Sequence, residues 1–91
     1  MIRLIWRESA LDDLESIHNY IAKRNMPAAQ RLQKAIDACA ERLPEHPFLY
    51  RPGRVPGTRE AIVHPNYIVV YRVTAEAVEI VSVLHSRRQY P

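Results

Sequence analysis

The stretch Thr58–Leu84, TREAIVHPNYIVVYRVTAEAVEIVSVL, decides the fold. At its centre Tyr67–Val73 (YIVVYRV) is β-branched or aromatic throughout except for Arg72, the composition of a central strand. Thr58–His64 precedes it across a Pro65-Asn66 turn, and Val78–Leu84 follows Thr74–Ala77. Connections this short join antiparallel neighbours, so the three segments predict a meander.

Upstream, Glu45–Gly57 (EHPFLYRPGRVPG) holds three of the prolines and both glycines. No helix or regular strand is expected at that density. The segment reads as a long loop, pinned to the core by Phe48, Leu49 and Tyr50, with Arg51 and Arg54 projecting. Before it, Ala29, Leu32, Ile36, Cys39 and Leu43 step by three and four, an apolar helical stripe. Pro27 starts that helix and Pro44 and Pro47 stop it. Ala10, Leu14, Ile17 and Ile21 make a similar stripe. Ser9 reads as the N-cap of this first helix, Ser9–Arg24, with Asp12 and Asp13 at the positive end of its dipole. The break Asn25-Met26-Pro27 folds the two helices into an antiparallel hairpin. Ile2–Trp6 alternates as a short strand. The result is an α+β fold: an N-terminal strand and a helical hairpin packed on one face of a three-to-four-stranded, mainly antiparallel sheet. Residues 1–91 read as a single domain, with the other sheet face left for a partner.

A chain of 91 residues buries only about 60–65% of its unfolded surface and is marginal alone, which favours a partner that adds buried area. The net charge of +3 lies entirely in residues 46–91. Residues 1–45 balance seven Lys/Arg against seven Asp/Glu, whereas the second half sets six arginines against three glutamates. Those arginines are Arg51, Arg54, Arg59, Arg72, Arg87 and Arg88. Their forked donors suit carboxylate or phosphate, so an anionic partner is expected on this side.

Several classes are set aside. The lone Cys39 forms no internal disulfide and reads as a core residue. His18, His46, His64 and His85 lack zinc-ligand spacing, and with two glycines there is no phosphate loop. Ser9, Ser16, Ser82 and Ser86 lie in no nucleophile elbow. No cofactor or metal is expected. No apolar run approaches the roughly 18 residues that span a bilayer, and MIRLIWRESA is too short and interrupted for a signal peptide. A cytoplasmic protein without membrane contact is expected. Neither helix carries a basic face for a DNA groove, so the chain alone is not expected to read DNA sequence.

One acid/base reading survives. RNA cleavage through the 2′-hydroxyl needs a base, an acid and cations for the developing charge. His85 and Tyr90 with Arg59, Arg72 and Arg87 would supply these if they converge. Alternatively Arg72 pairs with Glu60 or Glu79 across the sheet, and the same carboxylates are open to Arg59.

The run W-x-x-x-A-x-x-D-L-x-x-I-x-x-Y-I from Trp6 to Ile21, PGRVPGTRE (Pro52–Glu60), Y-x-V-x-Y-R-V and the closing V-L-H-x-R-R-x-Y resemble, in order and spacing, the RelE/ParE superfamily of bacterial toxins. The resemblance runs from Ile2 to Pro91. It implies an acidic antitoxin that wraps and neutralises the chain. It also implies one of two targets. RelE-type toxins cut messenger RNA on the ribosome; ParE-type toxins poison DNA gyrase and are not nucleases. The second half has no lysine, the last being Lys34, and the G-T-R-E and H-P-N-Y segments look ParE-like. The resemblance therefore favours a gyrase inhibitor, with a ribosome-dependent mRNA interferase or an inactive antitoxin-binding relic as alternatives. No catalytic residue is assigned under the favoured reading. Tyr20, Leu49, Tyr50, Arg51, Arg54, Arg87 and Arg88 are its candidate partner-binding residues.

Overall fold

Tyr71 has no exposed surface, and the sheet and helices of this computed structural model, which describes residues 2–88, are arranged around it. The elements in chain order are β1 (Arg3–Trp6), α1 (Glu8–Ala22), α2 (Met26–Arg42), β2 (Arg51–Pro52), β3 (Thr58–His64), β4 (Tyr67–Val73) and β5 (Ala77–His85). They form a five-stranded sheet in the order β1-β5-β4-β3-β2. The β3–β4–β5 meander is antiparallel, β2 joins β3 antiparallel, and β1 lies parallel to β5 with Arg3 opposite Ala77.

The fold is α+β, as the sequence implies, but with one strand more than expected. Arg51 and Pro52 pair with Glu60 and Arg59 in a segment read as strandless. A two-residue strand carries no periodicity to detect. Its proline is tolerated because β2 is the sheet edge, where a missing N–H costs no ladder bond.

Strand alternation separates two faces. Val69 and Tyr71 join Ala61, Val78, Ile80 and Val83 in the main core, against Ala10 of α1 and the α2 stripe. All five stripe residues, Ala29, Leu32, Ile36, Cys39 and Leu43, are buried. Ile68, Val70 and Leu84 point the other way and form a second buried cluster. That face therefore carries a small apolar cluster of its own.

Helix α1 begins at Glu8, with Arg7 at the N-cap position and no side-chain cap. Ser9 is not the cap. Its hydroxyl donates instead to the Val81 carbonyl at 2.7 Å. The reason is tertiary: β1 stops at Trp6, and α1 takes over the outer edge of β5 beyond Ile80. The Arg7 N–H donates to the Ile80 carbonyl. Asp13 Oδ2 accepts from the Ser82 hydroxyl at 2.7 Å and from the Val83 N–H at 3.0 Å. Val81 is the extra residue where the β4–β5 register shifts. Helix α1 ends at Ala22, two residues before the expected Arg24. The Arg24 guanidinium turns back onto the Tyr20 ring, 4.2 Å from its centroid. Helix α2 is capped by Asn25, whose side chain accepts from the Ala28 N–H.

The loop before β3 is held by polar bonds and one tyrosine. Phe48 is 65% exposed and Leu49 63% exposed, so neither pins it. Tyr50 does, edge-on to Tyr71 with centroids 6.4 Å apart, and the Tyr71 hydroxyl donates to the Pro47 carbonyl at 2.9 Å. Burial pushes the Tyr71 hydroxyl up from its ordinary range. The same cause raises the Cys39 thiol, which lies 3.9 Å from the Tyr50 hydroxyl. Such a thiol is a protonated core group, with little nucleophilic thiolate.

Candidate partner-binding face

The second face of the sheet is organised by a buried charge. Glu60 is opposite Val70 in β4 and Arg51 in β2. Its side chain is only 2% exposed, yet it holds two arginines. Arg51 Nη2 donates to Oε1 at 3.0 Å, and the Arg54 N–H donates to Oε2 at 3.2 Å, with Arg54 Nε 3.8 Å away. The arginine side chains themselves are about half exposed. Arg54 Nη1 also reaches the Arg88 carbonyl at 3.4 Å, so the loop meets the C-terminal segment here.

The β2–β3 hairpin places these groups. The Gly53 N–H donates to the Thr58 carbonyl at 2.7 Å, and the Thr58 hydroxyl donates to the Val55 carbonyl at 2.6 Å. A Cβ on Gly53 would stand 2.3 Å from that hydroxyl oxygen, so only glycine fits. Gly57 has φ 84°, a left-handed turn that favours glycine.

Arg72 lies on the same face, opposite Thr58 and Glu79. Its guanidinium stands over the Gly57 turn, 3.8 Å from where a Cβ would be. The cross-strand partners considered for it are both engaged elsewhere: Glu60 by Arg51 and Arg54, and Glu79 by Arg7 at 2.6 Å. Arg72 is exposed and has no carboxylate partner among the described residues.

Arg59 is one strand position from Thr58 and therefore on the opposite face, beside Tyr71. Its Nη1 donates to the Tyr50 carbonyl at 2.6 Å, and its guanidinium covers the Phe48 ring at 4.9 Å. It does not pair with Glu60 or Glu79. His85 is opposite Tyr67, five positions along β4 from Arg72 and so about 16 Å away at strand rise. Its ring is edge-on to Tyr67 at 5.3 Å, and its Nδ1 accepts the Arg87 N–H at 3.2 Å. The structure thus disperses Arg59, Arg72 and His85 and brings Arg51, Arg54, Glu60 and Arg72 onto one face. Arg87 and Arg88 are exposed after β5. Tyr90 lies outside the described residues.

Of the apolar candidates, Tyr20 and Leu49 are exposed and Tyr50 is half-buried in the core. Leu49 and the 55%-exposed Ile62 flank a cleft of about 220 Å³ lined also by Tyr50, Arg51 and Glu60. Sequence reasoning missed Ile62 and the organising role of Glu60. The signal was present: Glu60 is the one acidic residue between Glu45 and Glu76, set among arginines. No group of His, Cys, Asp and Glu suited to a metal ion occurs among the described residues.

Residues 4–90 match the family described as ParE toxin of type II toxin–antitoxin system, parDE. Protein Y4kP of Sinorhizobium fredii is 38% identical over 90 residues, covering 98% of this chain and 93% of that protein. Toxin RelE2 of Caulobacter vibrioides is 34% identical over 90 residues, covering 97% and 99%. Among solved structures, the chromosomal ParDE system from P. aeruginosa superposes with a TM-score of 0.84 over 93% of this chain and 96% of that one, at 22% identity, a likeness of fold.

Proposed function

The chain belongs to the ParE toxin family of type II toxin–antitoxin systems, and from that premise we propose that it arrests growth by inhibiting DNA gyrase and is neutralised by a cognate acidic antitoxin. The observation that carries the gyrase reading is the split of Arg59 and Arg72 between opposite faces. Catalysis by general acid and base needs its groups within hydrogen-bond reach of one reacting centre. Arg59 is committed to a loop carbonyl and His85 to a turn N–H. The open arginine face centred on Arg72 is suited to binding a macromolecule. In this reading the toxin acts in the cytoplasm, and the antitoxin neutralises it by covering that face, with Leu49, Ile62, Arg87 and Arg88 at the rim.

Purified chain added to gyrase and relaxed plasmid is expected to suppress supercoiling and to accumulate cleaved DNA. Unaltered supercoiling with toxin in excess contradicts the reading. RNA cleavage on the ribosome is a second reading, favoured by the exposed Arg72, which has no carboxylate partner among the described residues, and by the relative named RelE2. New transcript ends on translating ribosomes after induction, with gyrase unaffected, would establish it instead.

A further inference from the structure

We propose that the exposed Arg72 guanidinium and the backbone N–H of Gly57 form one carboxylate-binding site, which takes an Asp or Glu side chain of a protein partner. The proposal rests on the reading above, that an acidic antitoxin covers the face centred on Arg72, and adds the contact that holds it there.

Two unused donors meet at this point. Arg72 makes no hydrogen bond, ion pair or ring contact among the described residues. The Gly57 N–H is the second donor. The Thr58 N–H donates to the Val55 carbonyl at 3.1 Å. With Pro56 next in the chain and Gly57 at φ 84°, the four residues form a type II turn. The closing bond of that turn leaves out the Gly57 N–H, which has no acceptor among the described residues. Arg72 Nη1 stands 3.8 Å from where a Gly57 Cβ would be. The Gly57 nitrogen is one bond angle from that point, so the two donors lie within about 6 Å of each other. Hydrogen bonds of about 2.9 Å on either side bridge such a gap through one carboxylate. The missing Cβ keeps the approach between them open.

The surroundings select a carboxylate carried on a protein side chain. Gly57 also lines a cleft of about 270 Å³ whose walls include Phe48, Pro52 and Val73, apolar surface for the stem of such a side chain. Arg59, in the same cleft, is committed to the Tyr50 carbonyl. Duplex nucleic acid instead brings one phosphate charge per about 1.7 Å of its axis and is held by cations in series. Around Arg72, however, Arg7, Arg51 and Arg54 are already ion-paired with Glu79 and Glu60. One guanidinium and one N–H match a single discrete anion.

The test measures the affinity of the antitoxin encoded beside this gene for the full-length chain, Arg72→Ala, Gly57→Asp and the double variant, each checked for folding. Aspartate is among the residues that best tolerate a positive φ, and its carboxylate would fill the site from within the chain. Each single variant is expected to lose about ten-fold or more in affinity, the worth of a hydrogen bond to a charged group. Gly57→Asp should cost nothing further once Arg72 is alanine. A chemically ligated chain with glycolic acid in place of Gly57 lacks only the N–H; it should lose affinity several-fold, and it carries the test if Gly57→Asp does not fold. Unchanged affinity of Arg72→Ala or of the glycolic acid chain overturns the proposal alone. So does an equal loss from Gly57→Asp in both backgrounds, the mark of a charge effect spread over the surface. A duplex DNA or RNA oligonucleotide bound with the same dependence on Arg72 and Gly57 also overturns it. Absence of antitoxin binding by the unaltered chain overturns both the proposal and the antitoxin reading.

Discussion

Arg59 and Arg72 sit on adjacent paired strands of one sheet, and their surroundings give them opposite uses. Arg59 points to the helix-covered face, where a loop carbonyl at 2.6 Å and the Phe48 ring consume its donors and its flat surface. Arg72 points to the other face, where the two carboxylates opposite or diagonal to it among the described residues, Glu79 and Glu60, are held by other arginines. The first ties a proline-rich loop to the core; the second is a charge available to a partner. Arginine content alone therefore says little about an anion-binding site. The side of the pleat on which each arginine falls, and what waits there, decides its role.

The comparison is broken or sharpened by graded substitutions. The largest effect belongs to the helix-covered face: Tyr71→Ala is expected to cost about 3–5 kcal/mol, as for other buried aromatics, read from denaturant unfolding. Gly53→Ala drives a Cβ into the Thr58 hydroxyl and should cost about 1–3 kcal/mol through a loosened β2–β3 hairpin. Arg59→Ala removes a half-buried donor and should cost about 1–1.5 kcal/mol, with faster proteolysis of the 45–57 loop. Arg72→Ala is expected to change stability by no more than about 0.5 kcal/mol while weakening partner binding. A stability loss at Arg72 equal to that at Arg59 would erase the distinction between the faces.

An alkaline titration adds a smaller effect. Cys39 and Tyr71 both have raised values through burial, from ordinary values of 9.0 and 10.0. In each case the unfolded chain loses its proton first. Their contribution to stability is complete below the ordinary values and is lost as pH climbs above about 9 through the raised ones. Unfolding midpoints should fall in that window, less steeply for Cys39→Ala, and Cys39 should resist alkylation at neutral pH until the protein unfolds.

How much of this was legible in the residues depends on how local the cause is. The bounds of β3 and β4 coincide with the segments read from sequence, because Pro65-Asn66 and the β-branched run act locally. The α2 stripe was equally plain. Ser9 was misread because its hydroxyl has a better use than capping its own helix: it bonds an edge carbonyl of β5 that β1 is too short to reach. Strand β2 was invisible because two residues make no pattern. For the site, the basic half and its projecting Arg51 and Arg54 could be read. The faces of Arg59 and Arg72 could not, since they depend on register and on a loop that folds back onto the sheet. Glu60 looked like a partner for Arg72 and proved to belong to Arg51 and Arg54.

The most direct test of the division between the faces is a titration of gyrase supercoiling with the unaltered chain, Arg59→Ala and Arg72→Ala at equal concentrations of folded protein. The account predicts that Arg59→Ala inhibits like the unaltered chain once folded, whereas Arg72→Ala loses about ten-fold or more in potency, the worth of a charge-assisted contact. Full inhibition by Arg72→Ala, with potency lost at Arg59 instead, would contradict it.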